Sequence, residues 1–190
     1  MFGCIVCNSL SFGHICNKCL NGALAPTLNT REIDGLQVIS FYKYSEIEPL
    51  IKYKHKMVGS FILKRLASVS FKKFAKNFEY ESKISLIPID DKTTHGYSHT
   101  AILANAMRST VFEAQWGAMR AKNDVVYAGQ SLEFRKNNPR EFDFRGAKHK
   151  EIVLVDDIVT TGTTLLEARA CAREAGYETL FAITLADARE

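Results

Sequence analysis

The sequence predicts an α/β protein with a mostly parallel central sheet, preceded by a small four-cysteine module. Three observations support this fold class. Strand-like and helix-like segments alternate over most of the chain, as in βαβ units. The segment 151–157, EIVLVDD, opens with a continuous apolar run, which is typical of a strand buried on both faces of a parallel sheet. Four of the five cysteines lie close to the N-terminus.

Bulk composition fits one main core with a small appendage. The 190 residues are 46% hydrophobic and 24% charged, and we expect a module over residues 1–25 and the α/β domain over residues 26–190. A net charge of +4 is compatible with phosphate-bearing partners. No apolar stretch approaches the roughly 20 residues of a membrane span, and the N-terminus does not resemble a signal peptide. The expectation is a cytoplasmic protein that does not span a membrane.

The first part of the domain contains a predicted strand and two predicted helices. The β-branched and aromatic residues of 36–44 indicate a strand, whereas 26–34 is interpreted as a linker. A helix is predicted to begin at the N-cap Ser45, with Pro49 limiting its length. Apolar residues at helical spacing predict one longer helix over 57–78, with basic residues mostly on the opposite side.

The middle of the chain is more irregular. Segment 83–89 predicts a short apolar strand, followed by a polar loop over 90–99. Helices are predicted over 101–109 and 125–137, and a loop over 138–146.

The C-terminal part is a strand–helix–strand unit. The strand over 151–157 is followed by a helix over 164–176 that Gly176 closes as its C′ residue. Segment 177–186 predicts the last strand. Cys171 lies on the predicted helix and is interpreted as a small core residue.

The N-terminal cysteines have the spacing of a metal site. Their pattern is C-x2-C-x8-C-x2-C, formed by Cys4, Cys7, Cys16 and Cys19. Two close thiolate pairs can meet at one tetrahedral Zn²⁺, and four protein ligands make such a site structural rather than catalytic. An iron–sulfur cluster and incidental cysteines are the alternatives. His14 lies between the pairs and is interpreted as a surface residue.

Two carboxylates and a hydroxyl-rich run follow the buried strand at 151–155. Ligands of parallel sheets bind at the carboxyl ends of strands. A loop there can wrap an anion with its backbone N–H groups and hydroxyls, helped by the following helix N-terminus. The two acids could then accept hydrogen bonds from sugar hydroxyls; the alternative is an acidic N-cap. The candidate ligand-binding residues are Asp156, Asp157, Thr160, Thr161, Gly162, Thr163 and Thr164.

The run VLVDDIVTTGTT resembles the phosphoribosyl pyrophosphate (PRPP) signature of type I phosphoribosyltransferases. The resemblance implies that fold, with Asp156 and Asp157 on the ribose 2′- and 3′-hydroxyls and Thr160–Thr164 on the 5′-phosphate. It also implies Mg²⁺ carried by the pyrophosphate, held by a second loop for which Lys52–Lys56, with Lys54, is the candidate. A solvated basic face is the alternative for that loop. In an active enzyme Asp156 or Asp157 would be catalytic, stabilising a positively charged sugar.

A four-cysteine module before this signature resembles the ComF family of competence proteins. The segments YKYSEIEPLIKYKHK, LIPID and HGYSH, with Gln130, Arg135, Asn138 and Phe142, resemble the family's spaced elements. One departure from the family pattern lies in HGYSH, a segment that in phosphoribosyltransferases belongs to the mobile hood over the active site. His95 stands there where the family has an arginine, so an imidazole replaces a permanently charged guanidinium.

The ComF resemblance implies natural transformation, with handling of single-stranded DNA in the cytoplasm and possible contact with DNA-uptake proteins. Basic residues interleaved with aromatics between 41 and 78 could track phosphates and stack on bases. The alternative is that the aromatics form core and the lysines a solubilising face. These residues are Lys43, Lys52, Lys54, Lys56, Lys64, Arg65, Lys72, Lys73 and Lys76, with Phe41, Tyr42, Tyr44, Tyr53, Phe71, Phe74 and Phe78.

Three functions therefore stay open at this stage. The first is a PRPP-binding interaction protein that handles single-stranded DNA. The second is an active phosphoribosyltransferase, although no pocket for an acceptor base is legible. The third is a regulatory PRPP sensor.

Overall fold

A computed structural model of the chain describes residues 2–90, 96–122 and 140–189. The predicted helix over 125–137 lies outside these residues. So do Gln130, Arg135, Asn138 and His95, whereas Phe142 lies within them and is buried.

The described part of the chain contains ten strands and six helices, and they alternate singly around the helix His99–Ala106 and around the helix Thr163–Glu174. The strands are β1 (Phe2–Gly3), β2 (Leu10–Ser11), β3 (Asn29–Ile33), β4 (Leu36–Lys43), β5 (Ile84–Asp90), β6 (Phe112–Ala114), β7 (Met119–Ala121), β8 (Phe142–Phe144), β9 (Glu151–Val159) and β10 (Glu178–Asp187). The helices are α1 (Asn17–Asn21), α2 (Tyr44–Ile51), α3 (Met57–Val69), α4 (Phe71–Asn77), α5 (His99–Ala106) and α6 (Thr163–Glu174).

The central sheet is mostly parallel, as predicted. Its order is β3-β4-β10-β9-β5-β7-β8, with β6 also paired to β5. The pairs between β4, β10, β9 and β5 are parallel, as are those of β5 with β6 and β7. Antiparallel pairs occur at the two margins, where β3 joins β4 and β8 joins β7. The chain is therefore a mixed α/β protein in which β9 is a central strand.

Helices cover both faces of the sheet and explain the apolar run of β9. Val153 and Val155 pack in the core shared with α1 to α5. Ile152 and Leu154 pack in the core shared with α6. Because successive side chains of a strand point to opposite faces, a strand covered on both sides needs apolar residues at every position.

The segment interpreted as a linker is largely an edge strand. β3 pairs with β4 through a two-residue turn at Asp34 and Gly35, whose φ angles are +47° and +74°. Asp-Gly with both residues at positive φ is the preferred chemistry of a tight hairpin turn. The linker interpretation is therefore wrong, because Asp34 and Gly35 form a hairpin turn that pairs Asn29–Ile33 with β4.

Two helix predictions also need correction. The helix predicted over 57–78 is broken at Ser70, whose φ and ψ are −110° and −85°. The Ser70 hydroxyl donates to the Leu66 carbonyl at 2.8 Å, a side-chain bond that competes with regular helix. The preceding helix begins at Tyr44 rather than after Ser45. There the Glu46 carboxylate accepts the backbone N–H of Lys43 at 2.9 Å.

The loop predicted over 138–146 contains strand β8. Its three residues pair with Met119–Ala121 of β7, which sequence periodicity also missed. A three-residue strand is too short to show a recognisable alternation.

The N-terminal module packs on the α/β domain through a shared core. Ile15 and Leu20 belong to the same apolar cluster as α3. Arg65 of α3 donates to the Ile15 carbonyl at 3.2 Å and to the Asn17 side chain at 2.6 Å. None of the helices in the described part of the chain is long and apolar enough to cross a membrane.

Candidate functional site

The end of β9 leads directly into the N-terminus of α6. Gly162 caps α6 in the left-handed conformation, with φ +84°. The hydroxyls of Thr161 and Thr163 lie 2.9 Å apart across the cap. Since the first N–H groups of a helix have no acceptor within it, this turn presents donors and a partial positive charge.

A small cleft collects most of the predicted ligand-binding residues. Asp156 and the complete Thr160–Thr164 run line it. Arg140 and Glu167 lie on the same lining, and the Arg140 backbone N–H donates to the Glu167 carboxylate at 2.8 Å. The cleft thus combines two carboxylates, several hydroxyls and a helix N-terminus with Arg140, and sequence reasoning included neither Arg140 nor Glu167.

Asp157 lies on the other face of the sheet from Asp156. Alternation along β9 directs it toward α2 and α5, where its carboxylate is 2.7 Å from Lys54 Nζ and 3.8 Å from His99 Nδ1. Burial by itself raises the pKa of Asp157. The nearby Lys54 cation and His99 lower it by more than burial raises it, so the pKa of Asp157 lies below its ordinary value.

The loop that carries Lys54 is held by residues at the start of α5. The Tyr97 hydroxyl lies within hydrogen-bond distance of the carbonyls of Lys54 and Lys56, 2.9 Å from the latter, and its one proton is shared between them. His99 Nε2 lies 2.8 Å from the Lys54 carbonyl. A carbonyl only accepts, so Nε2 carries the proton. Within the predicted Lys52–Lys56 loop, the exposed Lys52 instead pairs with the half-buried Glu48 at 3.1 Å.

Arg31 braces the threonine loop from the edge strand β3. Its guanidinium donates to the Thr160 carbonyl at 2.5 Å and lies 3.2 Å from the Asp187 carboxylate. Both side chains are about nine-tenths buried, with 8% and 11% exposed. Sequence reasoning missed Arg31 because it fell in the supposed linker.

Gly162 is required by the fold as well as by any ligand. A Cβ at this position would lie 2.5 Å from Cδ1 of Ile33. The sequence analysis counted this glycine among the residues of the anion-binding loop. The structure adds two reasons independent of a ligand, namely the positive φ and the contact with β3.

The structure thus brings the predicted residues together in two groups at one strand end. Asp156 shares a cleft with Thr160–Thr164, and Asp157 shares an ion pair with Lys54. The first group can bind an anion and accept a hydroxyl. The second places a cation next to an acid on the opposite face of β9.

The four cysteines of the module form a compact cluster. Their Sγ atoms lie within 4.8 Å of one another, and Cys7 and Cys16 are 3.7 Å apart. Four Zn–S bonds of ~2.3 Å in a tetrahedron put sulfurs about 3.8 Å apart. The backbone N–H groups of Cys16 and Cys19 donate to the sulfurs of Cys4 and Cys16. The cluster could therefore hold a metal ion such as Zn²⁺.

His14 stands apart from this cluster. Its ring packs against that of Phe61, with centroids 5.6 Å apart. The metal-binding group found among the described residues consists of the four thiols alone.

The basic and aromatic residues proposed for DNA contact separate into two environments. Phe41, Tyr42 and Phe71 are buried in the core, with at most 4% exposed. Lys72 and Lys73 are exposed on α4. The buried aromatics match the alternative interpretation, because a ring packed in the core cannot stack on a base.

No protein-family model matches the chain, and no curated protein matches it. The resemblance to the ComF family therefore stays a prediction.

Proposed function

We propose that the chain is a ComF-like competence protein built on a type I phosphoribosyltransferase-like domain. In this proposal it binds PRPP at the end of β9 and handles single-stranded DNA in the cytoplasm during natural transformation. One observation carries the ligand assignment: Asp156 and the Thr160–Thr164 run line a single cleft beyond the end of a central parallel strand.

The proposed ligand lies across the end of β9. Its 5-phosphate takes the N–H groups and hydroxyls at the start of α6, with Arg140 supplying charge from the cleft lining. The ribose hydroxyls donate hydrogen bonds to the carboxylates of Asp156 on one side of the strand and of Asp157 on the other. Lys54 pairs with Asp157 in the structure, and in the complex it would face the pyrophosphate. Mg²⁺ would arrive with that pyrophosphate and neutralise part of its charge.

Calorimetric titration with PRPP and Mg²⁺ tests this assignment. Asp156→Asn and Asp157→Asn should each weaken binding, and the double substitution should abolish it. Glu174→Gln, at the exposed far end of α6, is the matched control and should bind as wild type. Normal binding by the double variant would overturn the role of the acids.

An active phosphoribosyltransferase is the second candidate. The Lys54–Asp157 pair favours it, because a cation and an acid next to the sugar could stabilise both the departing pyrophosphate and the positive charge on the ribose. Pyrophosphate release with candidate nitrogen bases, lost in Asp157→Asn, would support this function. PRPP binding without release and without DNA binding would instead support a sensor.

A further inference from the structure

An open groove lies between the α3–α4 pair and α5, on the opposite face of the sheet from α6. Its volume is about 500 Å³, within the range of ligand-binding clefts. Ala101, Ile102 and Ala106 of α5 form an apolar floor. The described residues that line it are all different from those that line the proposed PRPP cleft, so the groove is a separate surface.

Trp116 stands on the wall of this groove. It follows β6, leaves 52% of its surface exposed and is the only tryptophan in the sequence. The ring of a half-exposed tryptophan is a sequence-tolerant platform for a stacked base. The aromatics predicted to stack, such as Phe41 and Phe71, are buried and cannot do so.

Two lysines also line the groove. Lys64 of α3 and Lys72 of α4 are exposed there, and the residues known to line the groove in the described ranges include no carboxylate. Among the described lining residues, the apolar floor, the exposed ring of Trp116 and the two positive charges suit a flexible polyanion that carries flat bases.

We propose that this groove binds single-stranded DNA, with a base stacked on Trp116 and backbone phosphates on Lys64 and Lys72. The inference rests on the DNA handling in the proposed function and assigns it a surface. Tyr97 lines the same groove and holds the Lys54 loop through its hydroxyl. DNA in the groove therefore lies next to the segment that pairs with Asp157.

The single tryptophan makes the test direct. Binding of a fluorescein-labelled oligothymidylate of about 20 nucleotides is followed by anisotropy, and the unlabelled oligonucleotide is titrated against tryptophan emission. Stacking should quench Trp116 with the same midpoint as the anisotropy. Binding with unchanged emission would place the DNA elsewhere and overturn the groove assignment.

Variants test the aromatic ring and the lysines separately. Trp116→Ala should weaken binding by about tenfold or more, whereas Trp116→Phe keeps a ring and should lose less. Tyr80→Ala removes an exposed aromatic outside the groove and should bind as wild type. Circular dichroism and a thermal melt verify that each variant is folded.

Salt dependence reports on the lysines. Each phosphate contact to a single strand contributes about 0.7 to the magnitude of the slope of log K against log salt concentration. The double variant Lys64→Ala with Lys72→Ala should therefore lower the magnitude of that slope by about 1.4. Lys73→Ala with Lys76→Ala removes the same charge from exposed positions of α4 outside the groove and should change it less. Equal slopes for the two double variants would overturn the lysine assignment.

The outcomes distinguish the inference from the function on which it rests. If the wild-type protein binds DNA and the groove variants bind equally well, the groove is wrong and the DNA function stands. If the wild-type protein binds no single-stranded DNA at low salt, the DNA function fails and the groove loses its occupant. If an RNA oligonucleotide of the same length displaces the labelled DNA less effectively than unlabelled DNA does, DNA is supported as the ligand. If an acidic peptide displaces the labelled DNA more effectively than unlabelled DNA does, the DNA assignment is overturned.

Discussion

Lys54 Nζ and Asp157 Oδ2 lie 2.7 Å apart and join positions separated by 103 residues of sequence. Both side chains are mostly buried, with 23% and 15% exposed. The pair fastens the loop after α2 to the end of the central strand. An anionic ligand at this point would compete with Asp157 for the lysine, so binding and loop position should be linked.

Lys54→Met should destabilise the protein by about 2 kcal/mol, because it leaves the Asp157 carboxylate buried without its cation. The change is measured as the free energy of unfolding in urea. Lys54→Met combined with Asp157→Asn removes both charges and should recover part of the loss, giving a favourable coupling energy in the double-mutant cycle. Strictly additive losses would show that the ion pair contributes nothing.

The lowered pKa of Asp157 predicts an acid-dependent loss of stability. The folded protein holds this carboxyl ionised at a pH where the unfolded chain, with a pKa of about 3.9, takes up a proton. The contribution is complete above about pH 5 and is lost as pH falls through the folded pKa. Unfolding free energies measured from pH 6 to 2 should therefore fall less steeply for Asp157→Asn. Parallel curves would contradict this.

Gly162→Ala should cost more stability than the same change at another left-handed glycine. Gly96 has φ +82° and open space around its Cβ position, so Gly96→Ala measures the conformational cost alone, about 1 kcal/mol. Gly162→Ala adds the collision with Ile33, roughly 1–3 kcal/mol more. Adding Ile33→Ala should recover the additional loss that the contact with Ile33 causes, as measured by the free energy of unfolding in urea. Equal costs at both glycines would rule out the contact with β3.

Arg31→Met should destabilise the protein by about 2 kcal/mol, since the buried Asp187 carboxylate then keeps only the more exposed Arg189, 3.3 Å away, as its cation. It should also weaken PRPP binding, because the Thr160 carbonyl loses the donor that positions the loop. Arg173→Met, at an exposed position of α6, is the control. Calorimetry at a temperature where both variants are folded separates the two effects. Unchanged affinity in Arg31→Met would limit its role to stability.

Metal content is predicted at one Zn²⁺ per chain, seen by native mass spectrometry. A chelator or Cys16→Ser should remove it and loosen the N-terminal module, as measured by hydrogen exchange over residues 2–24. Cys171→Ser is the control, because that thiol lies on α6 and donates to the Phe142 carbonyl. A structural metal would be contradicted if metal-free protein showed the same hydrogen-exchange protection over residues 2–24 as metal-bound protein.

Sequence predicts the strand–loop–helix unit of β9 and α6 because its signals are local and strong. A doubly buried strand is continuously apolar, and Gly176 ends α6 at φ +80°, as its C′ position predicts. The helix break at Ser70 depends on one hydroxyl that the apolar periodicity does not report. β3 carried a recognisable signal in its Asp34-Gly35 turn, whereas three-residue strands carry almost none.

The site was predictable where its residues are consecutive and unpredictable where they meet through folding. Asp156 and Thr160–Thr164 occur in one run, so their shared cleft follows from the strand and helix around them. The contacts of Arg31 with Thr160 and of His99 with Asp157 join distant segments. Local patterns carry no information on such pairs. Sequence also treated the two acids alike, although alternation along β9 separates their environments.

The apolar cluster that Ile15 and Leu20 share with α3 has a consequence in the cell. With a structural metal in the four-cysteine cluster, as predicted above, unfolding of the module during metal starvation would expose the part of the α/β domain that packs against Ile15 and Leu20. Such a chain would be a substrate for quality-control proteases, and its abundance would follow metal supply.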